Sequence, residues 1–151
     1  MSQHSARIEW VFDEGDFAKG RYSREHRWIF DGGLTIAASA TPAVVPAPYS
    51  NPAHVDPEEA YVASLSSCHM LTFLYVASRA GHVVHSYTDE AVGTMIKGEN
   101  GVPWISAVTL NPRIVYAPDK APSPEQEAKL HEAAHHGCYI SKCRKRVMKI
   151  K

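Results

Sequence analysis

The chain has almost no charge of one sign to spare. Sixteen basic residues balance sixteen acidic ones over 151 positions. A neutral chain sets up no global field toward nucleic acid or an anionic membrane surface. The one basic cluster, 142–151, is interrupted by Val147, Met148 and Ile150 and reads as a strand with a solvated face. The N-terminus MSQHSARIEW lacks the apolar centre of a secretory signal, and no apolar run is long enough to span a bilayer. A cytoplasmic protein with neither nucleic acid nor membrane as partner is expected. Cysteine is scarce and odd in number: Cys68, Cys138 and Cys143. That count does not suggest a secreted disulfide framework, and in a reducing compartment such cysteines are free, metal-bound or catalytic. There is no internal repeat, and 151 residues suit one domain, 1–151, with one core.

What is present is organised around Asp56–Gly81, DPEEAYVASLSSCHMLTFLYVASRAG. Asp56 can cap a helix, Pro57 suits the first helical position, and Glu59 completes a capping box. Arg79 and Gly81 close it. The span is roughly 24 residues, or about 36 Å. Met70, Leu71, Phe73, Leu74, Tyr75 and Val76 make its second half apolar on nearly every face, which predicts a helix buried on all sides.

Before it, Arg7–Phe12, Gly20–Asp31 and Leu34–Ser39 read as strands, with Asp31-Gly32-Gly33 as a hairpin turn. Thr41–Pro57 holds five prolines in seventeen residues, which excludes regular structure. It reads as a stiff spacer or as an ordered arm over a site or a neighbouring subunit. After the helix, Ser86–Lys97 and Val102–Tyr116 read as two strands, the second broken near Pro112. Ser123-Pro124-Glu125-Gln126 starts a second helix that stops at Gly137, and 144–151 closes the chain as a strand. This order, β-β-β-α-β-β-α-β with antiparallel hairpins, predicts an α+β fold.

Cys68 lies mid-helix and Cys138 directly after the second helix. Alone, Cys68 reads as readily as a small inert hydrophobe. A reactive thiolate would need nearby cations or donors, and His69 points about 100° away around the helix. If the two cysteines can meet, one thiol oxidised to a sulfenic acid can be resolved by the other. Cys143 reads as a strand-edge residue. Metal binding by Cys68, His69, His135, His136, Cys138 and Cys143 has suitable donors but no matching spacing.

At these residues the chain resembles the OsmC/Ohr family of thiol-dependent peroxidases. The resemblance rests on Asp56-Pro57-Glu58-Glu59, the helix on to Ser67-Cys68, and His136-Gly137-Cys138-Tyr139-Ile140-Ser141 in that order. Tyr22–Trp28 with Phe30-Asp31-Gly32-Gly33 resembles the OsmC-like branch. The resemblance implies antiparallel sheets around a long central helix, and an intertwined homodimer with its active sites at the interface. It implies Cys68 as the peroxidatic thiol, Cys138 as the resolving one, Glu58 as the helix-start glutamate, and Arg24, alternatively Arg21, as the site arginine. It implies an organic hydroperoxide as substrate, a lipoyl-type or other dithiol as reductant, and no cofactor. On an unbroken helix Glu58 would lie about 15 Å from Cys68, so it would act through the long arginine, across the dimer, or after a helix break. His69 and Cys143 depart from the pattern, and Cys143 could compete as resolving thiol. A non-catalytic dimer binding a small apolar ligand or partner is the alternative.

Overall fold

A computed structural model describes residues 2–141. The expected closing strand and Cys143 lie outside the described residues. The chain divides into two units, Met1–Ala60 and Tyr61–Lys151.

The first unit is a three-stranded antiparallel sheet in the order β1 (Ala6–Glu9), β2 (His26–Phe30), β3 (Thr35–Ala38). The β2–β3 hairpin turns at the expected glycines: Gly33 has φ of 86° and donates to the Phe30 carbonyl at 2.9 Å. Only glycine enters that region without steric cost. β1 is shorter than expected. Beyond Glu9 the chain leaves the ladder, and Trp10, Phe12, Phe17 and Tyr22 gather their rings at centroid distances of 4.6 to 6.3 Å. The proline-rich segment is an ordered arm, not a free spacer. Its end is tied to β3 by Ser39 N–H to Val55 (3.0 Å), Val55 N–H to Ala37 (3.2 Å) and Asn51 N–H to the Ser39 hydroxyl (3.0 Å).

The central helix, α1, runs Pro57–Arg79 without a break. Its start is the expected capping box: Glu59 N–H donates to Asp56 Oδ1 (2.7 Å) and Asp56 N–H to Glu59 Oε2 (3.2 Å). Its end is a left-handed Gly81, φ 86°, with His82 N–H donating to the Ala77 carbonyl at 3.0 Å.

The second unit corrects the reading of two long strands. Four are present: β4 (Val84–Asp89), β5 (Val92–Lys97), β6 (Pro103–Thr109) and β7 (Pro112–Tyr116). β4 pairs with β7 and β5 with β6, both antiparallel, as two separate two-stranded ladders. The breaks fall opposite one another. Asn111 N–H donates to Asp89 Oδ1 at 2.6 Å, and its side-chain amide to the Glu90 carbonyl at 2.9 Å. These bonds satisfy backbone that the ladders abandon there. α2 (Pro124–Gly137) follows, opened by the Ser123–Gln126 capping box.

The core lies between α1, α2 and the β4–β7 ladder. Phe73, Ala77, Leu130 and Ala134 are buried, with Val76, Val84, Tyr87, Ile114 and Tyr116 packed against them. The expectation that α1 is enclosed on all sides is not met within one chain. His69, Phe73 and Ala77 are its buried residues, while Leu71 and Tyr75 are 61% and 65% exposed. The reason is geometric: α2 and the ladders cover only part of a cylinder and leave the flank of Leu71 and Tyr75 open. α1 also has the length and mean hydropathy (1.3) of a membrane-crossing helix, so composition does not exclude that role, contrary to the sequence reading.

Candidate active site

Both described cysteines are free thiols. Cys68 projects from the middle of α1, half-buried; Cys138 caps the C-terminus of α2 and is 2% exposed. The fold brings these positions, seventy residues apart, close enough for each thiol to influence the ionisation of the other. Gly137 allows the approach. A Cβ there would stand 2.7 Å from Thr72 Cγ2, one turn beyond Cys68 on α1. Thr72 in turn donates to the Cys68 carbonyl at 2.9 Å. The Ser141 hydroxyl folds back on the end of α2, 2.9 Å from the Cys138 carbonyl oxygen and 3.3 Å from that of His135. It thereby fixes the turn that carries Cys138.

The two thiols are not equivalent. Burial pushes the Cys68 thiol up, and its hydrogen bond to Cys138 pushes it further, against the backbone N–H groups of Ile140 and Tyr139. Burial also works against the Cys138 thiolate. There, hydrogen bonds from the Cys68 thiol and the backbone N–H groups of Ser141 and Ile140 prevail and bring it down. The surroundings therefore favour the thiolate at Cys138 over that at Cys68. Among the described residues of its own unit, nothing brings the Cys68 thiol below its usual range.

The remaining candidates belong to the first unit. Arg24 is half-buried and already organised. Its Nη1 donates to the carbonyls of Gly20 (2.8 Å) and Tyr22, and its guanidinium lies 3.7 Å from the Tyr22 ring centroid. Arg21 is exposed, with its backbone paired to Asp16. Glu58 is half-buried, and its Oε2 is buried with no hydrogen-bond partner among the described residues. An orphaned carboxylate oxygen is costly and calls for a donor.

Two contacts in the second unit escaped the sequence reading. His69 Nε2 meets His131 Nδ1 at 3.1 Å across α1 and α2, and Ser66 donates to Asp89. A polar residue in an apolar helix was the only available signal for His69. Nothing marked His131, 62 residues on. A cavity of about 600 Å³ opens beside Cys138, lined by Tyr61, Leu65, His69, Trp104 and Leu110 among others. Among the described residues, no three His, Cys, Asp or Glu side chains group as a metal site requires.

The sequence matches the OsmC-like protein family over residues 50–151. The chain belongs to the OsmC family. An OsmC-like protein of unknown function from Vibrio cholerae is 46% identical, with a TM-score of 0.91 over 96% of this chain and 95% of that one. An organic hydroperoxide resistance protein from Elizabethkingia anophelis shares the fold at 20% identity and TM-score 0.70, over 95% of this chain and 89% of its own. An organic hydroperoxide resistance protein OsmC from Legionella pneumophila does so at 14% identity and TM-score 0.69, over 95% and 90%. No curated protein matches the chain. The α+β architecture of this OsmC protein, with antiparallel ladders and one long helix, is that of its family.

Proposed function

We propose that this protein is a thiol-dependent peroxidase that reduces organic hydroperoxides to alcohols in oxidative stress defence. The observation that carries the reading is the contact between two free thiols presented by α1 and by the exit of α2. It gains weight from a family in which other members are named for organic hydroperoxide resistance.

In this reading the Cys68 thiolate attacks the hydroperoxide O–O bond. Cys68 becomes a sulfenic acid, and the departing alkoxide takes up a proton as the alcohol. Cys138 then attacks the Cys68 sulfur, a disulfide forms, and the sulfenic oxygen leaves as water. A dithiol of lipoyl or similar type reduces the disulfide and is itself oxidised to a disulfide. Arg24 supplies the positive charge that Cys68 lacks in its own unit and donates to the peroxide oxygens as charge develops. Glu58 holds the guanidinium through its orphaned oxygen. The working species is a homodimer in the cytoplasm, in which the exposed flank of α1, Leu71 and Tyr75 included, is covered by the second subunit. Apolar cover of that kind favours an alkyl peroxide over hydrogen peroxide.

Turnover of cumene hydroperoxide with a lipoyl dithiol tests the assignment. Cys68→Ser is expected to abolish turnover. Cys138→Ser is expected to permit one oxidation event and no efficient recycling. Full activity in Cys68→Ser would end the proposal. A second reading, a binding protein for a small apolar ligand, is favoured by the cavity beside Cys138. It requires Cys68 to stay unreactive toward hydroperoxide.

A further inference from the structure

The α1–α2 contact that holds Cys138 against Cys68 contains a second polar pair, His69 and His131. Their facing nitrogens are 3.1 Å apart, their ring planes differ by 5°, and their centroids are 5.4 Å apart. That separation equals the N···N distance plus a ring radius at each end. The imidazoles therefore lie end to end, nearly in one plane, and do not stack face to face. An in-line contact of this kind needs one N–H and one lone pair. It admits one proton between the facing nitrogens, and a second removes the acceptor.

The surroundings oppose that second proton. His69 is 8% exposed. Its imidazole is held below the usual histidine range, by burial first and then by His131 and His135, with Asp89 acting in the opposite sense. Burial lowers His131 as well, against Glu127, whose Oε1 is 3.9 Å from His131 Nε2. The groups acting on the pair are His135 and Glu127 from α2 and Asp89 from β4, with Tyr87 on β4 and Tyr116 on β7 packed against the core that Phe73 shares with His131. Asp89 is already engaged by Ser66 and by the Asn111 N–H. Both tyrosines, pushed up to about 12, stay neutral in the acid range. Glu127 is left to offset a second proton, and it sits 3.9 Å from the His131 nitrogen that does not face His69.

We propose that His69 and His131 are a positioning pair whose proton count sets whether Cys138 can meet Cys68. His131 sits seven residues before Cys138 on α2, two turns away, and so on the same side of the helix. With one proton between them the two imidazoles lock the register of α2 on α1. With two, buried N–H groups of like charge oppose each other, and the C-terminal half of α2 disengages with Cys138. The sign follows from linkage. A histidine lowered in the folded state binds fewer protons than in the unfolded chain, so its contribution is complete above the unfolded value of about 6.5 and fades as pH falls through the folded one.

The inference rests on the Cys68–Cys138 pairing of the proposed function but not on peroxide chemistry, so its test uses diamide. As the S–S bond forms, two electrons and two protons pass from the thiols to diamide. The rate of Cys68–Cys138 disulfide formation, read by alkylation and peptide mass spectrometry, is compared at pH 7.5 and 5.5 in the full chain and in H69Q/H131N. Gln and Asn place an amide donor and acceptor where Nε2 and Nδ1 stood, and neither titrates. Because both chains carry the same cysteines, the ratio of their rates largely cancels the thiols' own titration. The ratio of wild type to variant is expected to be lower at pH 5.5 than at pH 7.5, the sign that lowered histidines require. A ratio that does not change with pH overturns the inference and leaves the peroxidase reading standing. Lost hydroperoxide turnover with a normal diamide profile does the reverse. Should the double variant not fold, H131N alone replaces it: its Oδ1 still accepts from His69, and an acid loss as large as in wild type overturns the inference.

Discussion

The two faces of α1 differ in what answers them. On one, His69, Phe73 and Ala77 are buried against α2 and the β4–β7 ladder, and the buried imidazole has a partner. On the other, Leu71 and Tyr75 are as apolar but exposed. The sequence pattern is the same on both, since apolar content states how much surface seeks cover and not what supplies it. Burial by a chain's own elements stabilises the fold, whereas burial by a second copy would couple stability to assembly. Substitutions on the two faces should therefore report on different quantities.

The largest effect is expected on the buried face. Phe73→Ala should cost about 3–5 kcal/mol, a large part of a typical domain's stability, and be visible in denaturant unfolding. Tyr75→Glu sharpens the contrast: by the proposed dimer it should dissociate the assembly in size-exclusion chromatography without loss of secondary structure. A dimer that tolerated a charge there would place its interface elsewhere. Gly137→Ala comes next. The Cβ meets Thr72 Cγ2 at 2.7 Å, and relieving that overlap should cost about 1–3 kcal/mol and slow disulfide formation by moving Cys138. Replacing Thr72 by Ser in the same chain should recover much of the loss. The smallest effect is at the start of α1, where Asp56→Ala removes the cap to Glu59 N–H and should lower stability by about 1 kcal/mol in thermal unfolding.

The parts of this molecule that were legible in its sequence are those fixed by neighbours along the chain. Asp56 with Glu59, Ser123 with Gln126, Gly33 and Gly81 each announce a cap or turn within four residues, and each is found. The division of two expected strands into four was not legible. It depends on Asn111 bonding to Asp89 and Glu90, more than twenty residues away; Pro112 marked a break or bulge in the second strand, and nothing marked the matching break in the first. The enclosure of α1 was over-read because apolarity carries no count of available partners. For the candidate site, the placement of Cys68 and Cys138 on two helices, with the family resemblance, suggested that they meet. The opposite pull on the two thiols depends in part on the Ile140 and Ser141 N–H groups and had no signature. The His69–His131 contact was hidden for the same reason: it is made by packing, not by spacing.

The measurement that tests the central claim most directly is peptide mapping by mass spectrometry after one equivalent of an organic hydroperoxide is added to the reduced protein. The account requires rapid formation of a Cys68–Cys138 disulfide with one equivalent of alcohol released. A folded protein whose Cys68 remains a thiol after that treatment would contradict it.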